Sequence, residues 1–370
     1  MSDTTVASAN RVEQWADDEF YEYIRESPLK FLMGTGVSSP IQIKEDLTKK
    51  AGDKITVSLV TRLTGTGVTG DNTLEGNEEA LGNYGHQVTV EQLRHGVVVG
   101  ENEQIKTKID LLEAAKSMLK LWNMEQLRNL FLKRLMSPVT DGLTTYSAAT
   151  EAQKDAWAAA NNPSTSNQRI LFGAAKANSS GDHSTDLANI DATADDLHQD
   201  IVRLLKRLAQ NASPHIRPVQ VAGSNGAPGG ERFYLLAGSL PFRDLEANMD
   251  TVHQNADVRG DSNQIFTGGR IRVSNVDVFE VPEMDYTPAN GGCLLENVGN
   301  GGTTEVEPTF LLGAQALVLA WAQRMKVKMD EFDYQNKRGV AVSEIRGCEK
   351  TTMNSFQHGL ATGYVSAAGD

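Results

Sequence analysis

Two short alternating segments bracket a stretch with too little apolar matter to fold on itself, and this pattern constrains the chain more than any other. In Asp53-Lys54-Ile55-Thr56-Val57-Ser58-Leu59, apolar and polar residues alternate with the period of a half-buried strand. Gln87-Val88-Thr89-Val90 repeats that period. Between them, Thr64 to His86 carries Gly65, Gly67, Gly70, Gly76, Gly82 and Gly85 together with the carboxylates Glu75, Glu78 and Glu79. A structureless link of roughly 20 residues is out of place inside a compact domain. As the far end of a long hairpin leaving the body it makes sense. Such a hairpin cannot cover its own apolar face, so it predicts a partner surface.

The period changes to helical from Gln104 to Leu135. Ile105, Ile109, Leu112, Leu119, Trp122, Leu127, Leu130 and Leu135 recur at helical spacings, with Lys108, Lys116, Lys120 and Arg128 between them, and Pro138 ends the run. One rod of roughly 48 Å is expected, more than twice the usual helix length. Thr140 to Asp191 is poor in large apolar groups and predicts loop with a short helix near Trp157. Asp195 to Ala209 predicts an amphipathic helix whose first turn holds Asp195 and Asp196 and whose end holds Lys206 and Arg207, in agreement with the helix dipole. Beyond a Gly/Pro break at Gly223 to Gly230, strands are expected at Phe233 to Ala237, Ile271 to Val273, Val276 to Val281 and Gly339 to Ile345. Phe310 to Ala320 is too uniformly apolar to assign. Before all of these, Met1 to Lys50 has no sustained period; Glu13 to Arg25 could present Trp15, Phe20, Tyr23 and Ile24 from an arm that drapes over another surface. The order, hairpin then long helix then mixed strands and helices, is α+β rather than βαβ winding.

Charge and motif arguments remove several function classes. The formal net charge is -13, which opposes a protein that grips nucleic acid and suits a container whose wall must not adhere to its cargo. The first residues lack a signal peptide's basic and apolar regions, and no run is long enough for a membrane helix. Cys293 and Cys348, the only two cysteines, are expected to be reduced thiols from a cytoplasmic maker. Gly65-Thr66-Gly67-Val68-Thr69-Gly70 fits the dinucleotide fingerprint letter for letter. No helix is predicted after it, however, and nearby carboxylates would repel a pyrophosphate. His86, His95, His183, His198, His215, His253 and His358 show no metal-ligand spacing, and Ser224 lies one residue short of a nucleophile elbow. Three carboxylates on a mobile tip are expected to stay solvated with ordinary pKa values, facing a basic patch such as Arg128, Lys133 and Arg134. No catalytic, cofactor or metal residue is assigned.

A wider pattern then emerges. Ser39-Pro40-Ile41-Gln42, Asp46-Leu47, Ala51-Gly52-Asp53-Lys54-Ile55, Leu63-Thr64-Gly65-Thr66-Gly67-Val68 and, above all, Leu74-Glu75-Gly76-Asn77-Glu78-Glu79 resemble the major capsid proteins grouped around phage N-four. Gln92-Leu93-Arg94-His95, Leu312-Gly313-Ala314-Gln315-Ala316 and Arg346-Gly347-Cys348-Glu349-Lys350 continue the likeness. Thr140 to Asp191 and Ala247 to Phe266 fall outside it. The family is similar to the tailed-phage fold named after phage Hong Kong 97. The resemblance implies an N-terminal arm at 1–50, an E-loop hairpin at 51–101, a P-domain at 102–212 with its spine helix at 104–135, an A-domain at 213–330 and a return to the P-domain at 331–370. It implies self-assembly through hexamers and pentamers into an icosahedral head shell, with double-stranded DNA touched non-specifically and with separate scaffolding, decoration and portal proteins as partners. Inter-copy contacts are then expected from Trp15, Phe20, Ile55, Val57, Leu74, Glu75, Glu78 and Glu79, and spine contacts from Ile109, Leu112, Trp122, Arg128, Leu130 and Arg134. Two rivals remain: an encapsulin-like compartment of the same fold, and an oxidoreductase using Gly65 to Gly70.

Overall fold

Strands that are apolar on both faces organise the larger part of the protein. The computed structural model describes residues 29–45, 54–61, 63–138, 144–220, 230–254 and 270–369. These fall into two compact units, one formed by residues 93–126 and 325–344 and the other by the remainder.

In the larger unit an eight-stranded sheet runs in the order Ile170–Phe172, Leu360–Ser366, Thr304–Leu312, Glu231–Ala237, Val276–Glu280 and Arg270–Val273, with Leu295–Gly299 beside Thr304–Leu312 and Val219–Gln220 beside Glu231–Ala237. Period-2 alternation sends each strand's side chains to two different cores. Ile170, Phe172, Leu236, Phe310, Leu312, Leu360 and Tyr364 enter one core, which is closed by Phe131, Leu132 and Leu135 of the helix Leu111–Met136 and by Trp157 of the helix Glu151–Asn161. Leu171, Leu235, Val278, Leu311, Ala361 and Val365 enter the other, under the helices Gln199–Asn211 and Ser239–Gln254. Burial on both faces explains why Phe310 to Ala320 has no readable period. It resolves into the end of Thr304–Leu312 and the start of Leu317–Phe332.

The smaller unit packs residues 111–126 of the long helix on a hairpin made from the ends of Leu317–Phe332 and Lys337–Lys350. Leu112, Leu119, Val340 and Val342 form its core, and the Trp122 ring lies tilted by 35° against His95 at 4.5 Å between ring centroids.

Two expected helices differ in extent. The rod at 104–135 is two helices, Glu101–Lys106 and Leu111–Met136. Asp110 interrupts it by accepting hydrogen bonds from the Leu112 and Glu113 N–H groups, a capping arrangement that starts a new helix. Ile109 therefore lies in the break rather than on the spine. The 26-residue second helix still spans ~39 Å. The helix expected from Asp195 begins at Gln199. Asp195 instead accepts from the Ala174 and Asp191 N–H groups, so its charge serves a loop and not a first turn. The 140–191 region is likewise more than loop: besides its helix it supplies Ile170, Phe172 and His183 to the interior.

Candidate assembly hairpin

The two alternating segments pair. Lys54–Val60 lies antiparallel to Asn83–Thr89, from Lys54 opposite Thr89 to Val60 opposite Asn83. At the base, Ile55 and Val88 are buried against Val318 and Ala320, with Val57 and Val90 beside them. Alternation makes this possible, since Leu317, Leu319 and Trp321 point into the main core and leave Val318 and Ala320 to meet the hairpin. Glu349 reaches the same base, accepting from the Thr89 N–H at 3.3 Å and lying 3.5 Å from His86 Nε2. Burial lowers the His86 pKa, which disfavours the charged ring at this contact. Gly347 passes so close to the Thr89 carbonyl that a Cβ would overlap it, which makes glycine a requirement of this seat.

Farther out the ribbon leaves every core. The Thr61 N–H donates to the Gly82 carbonyl at 2.9 Å, and beyond that rung the described residues form no further ladder. Leu63, Leu74 and Leu81 are 59%, 61% and 60% exposed. Glu79 turns inward to accept from the Thr64 N–H (2.7 Å), the Thr64 hydroxyl (2.9 Å) and the Gly65 N–H (2.7 Å). Glu78 accepts from the Gly76 N–H at 2.8 Å. The backbone donors hold the Glu79 carboxyl below its usual pKa, a correction to the expectation of ordinary values across the acidic cluster. The same bonds oppose the dinucleotide reading, because the amides of Thr64, just before the glycine motif, and of Gly65, its first residue, are already taken by a carboxylate, and no helix opens after Gly70.

The predicted contact residues separate into distinct places. Ile55 is buried inside its own chain, Val57 is half-buried beside it, and Leu74, Glu75, Glu78 and Glu79 are exposed on the far end. Trp15, Phe20 and Ser224 lie outside the described residues. Leu112 and Trp122 belong to the smaller unit's packing, whereas Leu130 packs against the main core. Arg128 is buried and donates to Glu283 at 3.1 Å, so it is not a surface partner for the acidic tip. The Arg134 Nε is also buried. Sequence reasoning missed Glu283, which carries no motif, and the role of Glu349, which it met only as a letter in Arg346-Gly347-Cys348-Glu349-Lys350; both contacts are made only by the tertiary fold. The Asp110-x-x-Glu113 spacing, a capping signal, was available to locate the helix break.

Among the described residues no group of three or more His, Cys, Asp or Glu side chains is arranged to hold a metal, and no helix is long and apolar enough to cross a membrane. Both cysteines are free and buried.

A doubly covered sheet, a long helix and a base-anchored ribbon with an exposed far end match the expectation of the shell-forming subunit of the tailed-phage capsid fold, and similarity to solved capsids bears that fold out. The phage capsid protein family matches residues 3–363, and the chain belongs to that family. It is 26% identical over 365 residues to the major capsid protein of Pseudomonas phage KPP25, covering 94% of this chain and 93% of the other. The capsid asymmetric unit of cyanophage Pam1 superposes with a TM-score of 0.89 at 34% identity over 100% of both chains. The capsid of Ralstonia phage GP4 shares the fold, with a TM-score of 0.73 at 22% identity over 100% of this chain and 99% of that one. The chain is a shell-forming major capsid protein and a component of the virion, in a structural protein family.

Proposed function

We propose that the Lys54–Thr89 hairpin is the clasp by which one copy holds the next, in the role of the E-loop. The observation that carries this reading is the contrast along one ribbon: a base seated on Val318 and Ala320, and an end whose leucines stand exposed, uncovered by any other described residue. A hydrophobic group of this kind is stabilised only when a second surface removes it from water. The finer map follows the same reading. The arm is assigned to residues 1–50, the P-domain to 102–212 with the return at 331–370, and the A-domain to 213–330. Copies close into hexamers and pentamers, the inner wall touches double-stranded DNA non-specifically, and scaffolding, decoration and portal proteins are separate chains. The protein works without catalysis or a cofactor.

The test is replacement of residues 63–81 by a short turn, which keeps the ladder from Lys54 to Thr89 and the Thr61–Gly82 closure intact. The expected product is a folded chain, by circular dichroism and thermal unfolding, that forms no closed shells by electron microscopy. Intact shells from it would overturn the clasp.

A further inference from the structure

We propose that Glu79 is the positioning residue of the clasp: its carboxylate latches the outgoing limb at Thr64 and Gly65 to the returning limb, so the far end meets its neighbour already ordered. This inference rests on the clasp reading and adds the device that makes the clasp effective. Beyond the Thr61–Gly82 rung no ladder joins the two limbs. The next link is the Glu79 carboxylate, which takes three donors from the opposite limb within 2.7 to 2.9 Å. Inside the loop so closed, the Asn77 N–H donates to the Leu74 carbonyl, Asn77 Nδ2 to the Thr73 carbonyl and Asn72 Nδ2 to the Thr69 carbonyl, each at 2.9 Å. These bonds shape the turns locally but do not join the limbs. Among the described residues, Glu79 is the one link beyond the Thr61–Gly82 rung that joins the limb of Leu63 to the limb of Leu81.

Gly65 fits the same device. Its φ is not in the left-handed region, so backbone freedom does not call for glycine there. A Cβ at that position would instead stand 2.9 Å from Glu79 Oε2, inside the latch. The dinucleotide-like spelling of this segment is thus explained in part by a carboxylate that must approach the backbone closely. The depressed Glu79 pKa has the same cause and keeps the latch charged under mildly acidic conditions. A limb ordered in advance loses less conformational freedom on docking, so the benefit appears in assembly rather than in the stability of the single chain.

The experiment uses the full-length chain below the concentration at which shells form, and the same chain under assembling conditions. Variants are Glu79→Ala, Glu79→Gln, Gly65→Ala and, as a control on the acidic surface, Glu75→Ala. Amide exchange at Thr64 and Gly65 is expected to speed up about tenfold in Glu79→Ala, with thermal unfolding unchanged. The concentration needed for shells by light scattering is expected to rise severalfold. Glu79→Gln retains an acceptor oxygen and recovers part of both losses, Gly65→Ala reproduces them, and Glu75→Ala leaves both unchanged. Unchanged exchange in Glu79→Ala would show that no latch exists. Faster exchange with unchanged assembly would show that the latch positions nothing. Either result overturns the proposal without touching the clasp, whose own failure is read from shells formed after replacement of residues 63–81.

Discussion

Replacing Ile55 by alanine should release the hairpin while leaving the body folded. Ile55 is 7% exposed and sits in a cluster of four buried residues with Val88, Val318 and Ala320, separate from both large cores. An Ile-to-Ala change in a core costs about 2–5 kcal/mol in lost transfer energy plus the cavity left behind. This site lies at the margin of the fold and the ribbon can settle into the gap, which places the cost at about 2–3 kcal/mol. Because the cluster touches no large core, that energy weighs on local opening of Lys54–Val60 and Asn83–Thr89 rather than on global unfolding. At one factor of ten per ~1.4 kcal/mol, amide exchange in the two strands should accelerate by about 30- to 150-fold. Ile55→Val should cost about 1 kcal/mol and sit between. Hydrogen exchange read peptide by peptide, beside thermal unfolding of the same sample, separates local from global effects. A fall in melting temperature as large as that caused by Phe172→Ala, with hairpin exchange tracking the rest of the chain, would refute the separation of the ribbon from the body.

Two further outcomes follow from buried charge. Arg128→Met leaves the Glu283 carboxylate buried without its guanidinium and should destabilise by roughly 3–5 kcal/mol, whereas Arg128→Met with Glu283→Leu should recover most of that loss; equal losses by denaturant titration would show that the pair is not what matters. His183 sits among the rings of Tyr146, Trp157, Phe172 and Tyr364, and burial, with Lys154 adding to it, lowers its pKa to about 4. The fold needs the neutral ring, so its contribution is complete above the unfolded pKa of about 6.5 and is lost as pH falls toward 4, a difference of roughly 3 kcal/mol. His183→Phe should flatten stability across that window in a pH series of melts, and an unchanged slope would assign the acid sensitivity elsewhere.

Where local pattern and tertiary use agree, the fold was legible in advance. Ile55, Val57 and Leu59 alternate because one side of that strand meets a body and the other meets water, so the period is written in the residues. The helix Gln199–Asn211 shows its stripe for the same reason, with Ile201, Leu205 and Leu208 buried on one side. The residues of Leu317–Trp321 hide their geometry because both sides are buried and a uniform apolar run has no period. The hairpin was visible as a region without a core of its own. Its latch was not, because Glu75, Glu78 and Glu79 are indistinguishable as letters and only the path of the ribbon brings Thr64 and Gly65 to Glu79. Glu283 and Glu349 were invisible for the related reason that their partners lie 155 and 260 residues away.

The energies involved suggest why such a clasp is weak by construction. Fully burying a leucine is worth about 1.5–3 kcal/mol, so covering the exposed portions of Leu63, Leu74 and Leu81 yields roughly 3–5 kcal/mol in total. A gain of that size corresponds to an affinity near 1 mM, before the cost of immobilising the partners is subtracted. One clasp therefore cannot hold two copies together. In the proposed ring each copy would give one clasp and receive one, so removing a copy would break two contacts at once, the second held at the high effective concentration set by the first. A misplaced copy held by a single clasp leaves readily, while a correctly closed ring persists. On the latch proposal, ordering the far end through Glu79 would shift this balance by lowering the cost of docking without adding contact area, keeping each contact reversible while the closed shell is stable.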